Sequence, residues 1–323
     1  MQELFFELLR VAVGQMDCLS RGPSAQEWHD IYEMARHHGL IGVCYKGVER
    51  LFEYGLRAPQ DLSIDWMADA EMIREEEEVY DQRCAKLVAK LSERKIRATI
   101  LNGLGMRRFG DVELQHLLRA TAIDVFVDCS MERAIKFARQ TGQEDIHCSY
   151  TSLALNAWND TPVNLYYRIL SARNPMRNKV LQKWFVQNKE QLFHLNEGDV
   201  YVPTLTMNAI CMLQTFQQRL LNGKATIDYL VDYYYVLSRL KGDFQSFKDN
   251  GSIANTLETL EMSQFAAGVM WVLQHTMALD RSCMLCEPSE QEGRFILKCL
   301  MAKKRSFRHL LFHYPKEMIW PGR

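Results

Sequence analysis

Apolar residues recur at helical spacing through the first 93 positions, give way to short β-rich runs between 95 and 170, and return to helical spacing beyond 175. Leu4, Phe5, Leu8, Leu9 and Ala12 fall on one side of a first amphipathic helix. Ser24 with Glu27 three residues on forms a capping-box pattern. The helix it opens carries Trp28, Ile31, Tyr32 and Ala35 on one face and stops near Gly39. The pattern predicts a second helix over 41–54 and a long one over 64–94 with Met72, Val79, Cys84, Leu87 and Leu91 as its apolar stripe. In that long helix Glu75 to Glu78 precede Lys86, Lys90 and Lys95, the order the helix dipole prefers, and the acids read as a solvated face.

The middle of the chain predicts strands. Residues 97–101 form a short apolar run that ends in the turn Asn102-Gly103-Leu104-Gly105, and 122–127 form a β-branched run. Asp128 or Ser130 then caps a helix through Ala134, Ile135, Phe137 and Ala138 that Thr141-Gly142 ends. The stretches 147–155 and 163–170 read as a hairpin around Asn159-Asp160-Thr161-Pro162. Helices follow over 204–221, 225–240, 253–279 and 293–312, punctuated by Asn222-Gly223, Lys241-Gly242 and Asn250-Gly251. The expected class is α+β and helix-dominated, in three units: an N-terminal helical region 1–94, an αβ core 95–174 and a C-terminal helical region 175–323.

Composition narrows the function classes. The 39 Lys and Arg against 40 Asp and Glu leave a net charge of -1, and 47% of residues are hydrophobic, which excludes a histone-like binder and a disordered or collagenous chain. No window offers the ~20 mostly apolar residues that a membrane-spanning helix needs. The N-terminal stretch has acids where a secretory signal has bases. Nine cysteines scattered without a dense framework fit reduced thiols, so the expected location is cytoplasmic. There is no Ser-His-Asp, P-loop or dinucleotide pattern.

The run Leu101-Asn102-Gly103, a short helix, and then a strand with Ile123-Asp124-Val125-Phe126-Val127 resemble the nucleotidyltransferase superfamily that includes DNA polymerase beta. More narrowly, the chain is similar to a bacterial family of uncharacterised nucleotidyltransferases, which reads Leu-Lys-Gly and then Gly-Asp-Ile-Asp. The likeness extends to residues 27–40, ending Ala35-Arg36-His37-His38-Gly39-Leu40, and to 226–237, where Asp232 precedes an aromatic residue. The resemblance implies a small mixed sheet. It also implies two carboxylates two residues apart, and a third on the neighbouring strand, sharing Mg²⁺ ions that engage an NTP.

On that pattern Asp124 is the only carboxylate retained. The family's first Asp falls on Ala122, its preceding Gly on Thr121, its Lys on Asn102, and the Glu and His of the next strand on Asn164 and Tyr166; a C-terminal Arg falls on Asp228. Asp128 lies four residues, or ~13 Å, along the strand from Asp124, too far to share a metal. Asp111 and Glu113 lie in the preceding loop as substitutes. Gly103, Gly105, Arg107 and Arg108 are the candidate nucleotide-binding residues, and Asp124 is the candidate catalytic and metal residue; a tight turn, surface arginines and a structural aspartate are their plainer roles. The expectation is a nucleotidyltransferase-fold protein that has lost its catalytic charge and binds a nucleotide or a protein partner, with no cofactor assigned unless it is active, when Mg²⁺ and an NTP are implied. The alternatives are a working Mg²⁺-dependent nucleotidyltransferase using an NTP, and a helical protein-interaction module.

Two further patterns are weaker. Cys283-Met284-Leu285-Cys286, with Cys299, His309 and His313 downstream, lacks the paired spacing of a zinc site and reads as buried thiols. Seven Lys or Arg and no acid lie between Arg294 and Lys316. Nucleic acid is not an expected partner, but this stretch leaves that question open; its plain reading is a solvated basic face.

Overall fold

A computed structural model describes residues 2–101, 114, 116–143, 145–158, 160–195, 200–241, 252–302 and 313–314. Four helices come first: α1 (Gln2–Ala12), α2 (Ala25–His37), α3 (Ile41–Glu53) and α4 (Gln60–Glu93). Strands β1 (Ala98–Ile100) and β2 (Ile123–Val127), helix α5 (Met131–Gln140), and strands β3 (Ser152–Trp158) and β4 (Thr161–Tyr166) form the centre. Helix α6 (Pro175–Asn188) and the two-residue strands β5 (His194–Leu195) and β6 (Tyr201–Val202) follow, then α7 (Leu205–Leu221), α8 (Asp228–Leu240), α9 (Ile253–Thr259), α10 (Ser263–Met277) and α11 (Glu290–Met301).

The sheet is mixed, in the order β3-β4-β2-β1-β6-β5. The β2–β4 and β1–β6 pairs are parallel and the other three are antiparallel. The helix-dominated α+β class is therefore the observed one. The alternation along β2 sets the two faces of the sheet. Ile123, Val125 and Val127 bury into a cluster with Cys84, Leu87 and Leu91 of α4 and Ala134, Phe137 and Ala138 of α5. Phe126 points the other way, its ring centroid 5.7 Å from Phe185 of α6 and 5.9 Å from Phe193. Asp124 and, on β4, Asn164 and Tyr166 share that second face, which the C-terminal helices cover.

A larger cluster joins the two ends of the chain. Leu4, Phe5, Phe6, Leu8 and Leu9 of α1 are buried together with Phe265, Val269, Met270 and Leu273 of α10. Helix α1 also packs closely on α3, where a Cβ added to Gly47 would sit 2.8 Å from Leu8 Cδ1 and 2.9 Å from its carbonyl oxygen. Gly39, at φ +70, ends α2 in the left-handed region that glycine enters without a Cβ penalty.

Several expectations change in detail. The Ser24–Glu27 capping box is present, with both reciprocal hydrogen bonds. Helix α4 begins at Gln60, after Pro59, rather than at 64. Its Met72 and Val79 are exposed, while Leu62, Trp66, Ala70, Ile73 and Glu77 join Cys84, Leu87 and Leu91 on the buried face. The acidic run is thus not wholly solvated: Glu77 is fully buried and accepts the Ala120 N–H at the entry to β2, and Glu76 pairs with Arg119 at 2.9 Å. The expected strand 147–155 is displaced to 152–158, and the expected helix 253–279 is two helices. They part at residues 260–262, where Glu261 adopts φ 54 and the Leu260 carbonyl accepts the Arg177 Nε–H at 3.0 Å. The segment expected to start at 293 begins at Glu290, capped by Ser289.

Candidate functional site

The described chain leaves β1 beside Asp124, because the Leu101 N–H donates to the Asp124 carbonyl at 2.9 Å. The parallel register of β2 and β4 sets Asp124 opposite Asn164 and Phe126 opposite Tyr166. Side chains two apart on one strand face the same way, so Asp124, Asn164 and Tyr166 meet on the helix-covered face. Asn164 Nδ2 donates to Asp124 Oδ1 at 2.9 Å. The Tyr166 phenol lies near the same carboxylate; burial first, and then the Asp124 charge, push it well above the ordinary range, so Tyr166 stays neutral.

Helix α7 closes this face, opened by Thr204, whose hydroxyl accepts the Met207 N–H. Asn208, Met212, Thr215 and Arg219 succeed one another at helical spacing on the side turned to the sheet. Together with Leu101, Tyr166, Ile169, Leu192, Pro203 and Cys211 they line a cavity of ≈ 110 Å³. Arg219 sits over the Tyr229 ring, its guanidinium carbon 4.8 Å from the centroid. Asp228, the first residue of α8, lies near it and accepts the Tyr229 N–H at 2.8 Å. Burial raises the Asp228 carboxyl above its usual range, against the opposing influence of Thr226, the Tyr229 N–H and Arg219. A Cβ on Gly39 would come 3.4 Å from Asp228 Oδ2. Segments 27–40 and 226–237, far apart in sequence, thus touch each other beside the sheet.

A family model described as an uncharacterised nucleotidyltransferase matches residues 24–278. The chain belongs to that family. No curated protein and no solved structure matches it. The uncharacterised nucleotidyltransferase model takes in the whole sheet, both flanking segments that meet at Gly39 and Asp228, and α7 with its cavity.

The sequence-derived candidates distribute unevenly over this family fold. Asp124, Asn164 and Tyr166 come together as described, and Thr121 and Ala122 lie just before β2. Asn102, Gly103, Gly105, Arg107 and Arg108, with Asp111 and Glu113, fall outside the described residues. Asp128 caps no helix: Ser130 accepts the Arg133 N–H at the start of α5, while Asp128 binds Arg97 at 2.9 Å and Lys189 at 3.0 Å. Burial pushes the Asp128 carboxyl up, but these two cations more than offset it and hold it below the usual range. Cys283 and Cys286 belong to the helical core. Among the described residues no group of three His, Cys, Asp or Glu could hold a metal ion. Of the basic stretch, Arg294 pairs with Glu290 at 2.7 Å, and most of the remainder lies outside the described residues. No helix among the described residues is long and apolar enough to cross a membrane.

Arg219 escaped the sequence reading. The available clue was a run of polar residues, Asn208, Thr215 and Arg219, at helical spacing along an otherwise apolar helix.

Proposed function

We propose that this protein binds a nucleotide in the nucleotidyltransferase cleft without carrying out two-metal nucleotidyl transfer. The Asn164–Asp124 hydrogen bond carries the reading. Where the family resemblance expects a third carboxylate, this chain presents an amide that donates a proton to Asp124 in place of a second negative charge. The described donor set does not fit a pair of Mg²⁺ ions. Ala122 offers no oxygen from its side chain, Asn164 has turned its N–H₂ towards the carboxylate, and Tyr166 is a neutral phenol beside it. Divalent Mg²⁺ is held through carboxylates and substrate phosphates in octahedral geometry, and a lone carboxylate already accepting an amide N–H serves that poorly.

The remaining features favour binding. The cleft keeps a neutral Tyr166, Arg219 and a small cavity beside the strands that carry the family's motif. Calorimetry of the full chain with ATP, GTP, CTP and UTP, in Mg²⁺, in Mn²⁺ and in EDTA, tests this. The expected result is nucleotide binding of equal affinity with and without metal, and no pyrophosphate release. Affinity that requires metal and disappears in Asp124→Ala would establish the working transferase instead. A chain that binds none of the four would leave a protein partner as the ligand.

A further inference from the structure

Arg219 is a cation in the cleft that no carboxylate among the described residues pairs with directly; Asp228 acts on it only through space. It forms no salt bridge, and its side chain donates no hydrogen bond to any acceptor among the described residues. Its contact is the face of the Tyr229 ring, 4.8 Å from the guanidinium carbon, and that ring takes none of the guanidinium's N–H hydrogen bonds. Other partly covered arginines of this protein are occupied. Arg97 has Asp128 and Glu190, Arg83 has Asp160, and Arg10 has Glu3. Arg219 is half-buried, and a guanidinium drawn partly out of water loses hydration that no pair here returns. This one lines a cavity of ≈ 110 Å³ with Thr215 one turn before it and the Tyr166 hydroxyl on the facing strand. That volume is about three to four waters' worth, the scale of one tetrahedral oxyanion rather than of a whole nucleotide.

The charge balance of the site points the same way. Three carboxylates repel a phosphate until metal ions stand between them. Here Asp124, which accepts from Asn164, is what remains of that set, and Arg219 on α7 lines the adjoining cavity. Such a cleft can take a phosphoryl group directly, through the paired N–H groups that suit arginine to phosphate. We propose that the cavity is a phosphate subsite in which Arg219 meets the phosphoryl oxygens in place of metal ions. The nucleotide as the source of that phosphate rests on the function proposed above; the subsite itself does not.

The test uses the full chain in EDTA, with ATP, pyrophosphate and inorganic phosphate as separate titrants. Wild type, Arg219→Gln and Arg219→Lys are compared by calorimetry, with thermal unfolding in phosphate-free buffer as the check on folding. Expected are binding by wild type, a loss of roughly ten- to a hundredfold in Arg219→Gln, and partial recovery in Arg219→Lys, since lysine restores charge without the fork. The recovery separates recognition from a packing role on Tyr229, which lysine does not reproduce. ATP binding left unchanged by Arg219→Gln overturns the subsite and leaves the nucleotide reading standing. Arg219-dependent binding of pyrophosphate or phosphate with no binding of ATP supports the subsite and removes the nucleotide as its source. A wild type that binds none of the three overturns the subsite.

Discussion

Replacing Asn164 with aspartate sets a second negative charge beside Asp124, and the structure sets the size of the effect. Asn164 Nδ2 lies 2.9 Å from Asp124 Oδ1 on a register partner of the adjacent parallel strand, so the new oxygen takes the place of a donor. Loss of a hydrogen bond to a charged group removes about 1.5–3 kcal/mol. Two carboxylates about 4 Å apart repel by about 4 kcal/mol at an effective dielectric of about 20. The pair relieves this by retaining one proton, whose cost at about pH 7, from an ordinary carboxyl pKa near 4, is also about 4 kcal/mol. With partial relaxation the net destabilisation of Asn164→Asp at neutral pH should be roughly 2–4 kcal/mol.

The sign of its pH dependence follows. The folded-state pKa of the shared proton is raised above the unfolded value, so the variant is least penalised below about pH 4 and loses stability as pH rises through the raised pKa. Mg²⁺ bridging the two carboxylates should recover the loss, by about 2.7 kcal/mol at a hundred times its Kd. Chemical denaturation of wild type and variant between about pH 4.5 and 8, with and without Mg²⁺, reads all three effects. Equal stability of the two proteins at about pH 8, or a wild type that gains as much from Mg²⁺ as the variant does, would refute the reasoning.

Gly47→Ala should destabilise by about 1–3 kcal/mol, because the added methyl meets the Leu8 side chain and carbonyl at a helix contact that cannot open without parting α1 from α3; equilibrium denaturation measures it. Asp128 stabilises the fold above the ordinary aspartate range near 4, and that contribution fades as pH falls through its lowered value. Asp128→Asn should therefore unfold less steeply with acid than wild type does in an acid titration followed by circular dichroism. Among the cysteines, alkylation resolved by mass spectrometry should modify exposed Cys18 and Cys148 first. Buried Cys44 and Cys211 should react last, the Cys211 thiol being pushed up to about 12 by burial.

Features fixed by local chemistry were readable from sequence. Ser24 and Glu27 cap α2, Ser130 caps α5, and the β-branched run at 123–127 is a strand, because each depends on neighbours within a few residues. The Asp124–Asn164 juxtaposition was also foreseeable, once the family pattern aligned the two strands. Other features depend on distant partners. Glu77 is buried because Ala120 N–H reaches it from 43 residues away, and nothing in the run 75–78 singles it out. The break between α9 and α10 has no glycine to announce it; Glu261 takes a positive φ while Arg177 of α6 holds the preceding carbonyl. Strands β5 and β6 are two residues each, too short for any alternation to show. Arg219 gains its meaning only from the packing of α7 across the sheet.

The shared burial of α1 and α10 has a consequence for how the chain must be made. The apolar face of α1 emerges from the ribosome about 250 residues ahead of the helix that covers it. At about 5–20 residues per second, Phe5, Phe6, Leu8 and Leu9 wait roughly 12–50 seconds for Phe265, Val269 and Leu273. During that interval α3 can cover only part of the surface, and the nascent protein offers a greasy helix to whatever holds unfinished chains. Folding of this core cannot finish until translation has passed residue 277.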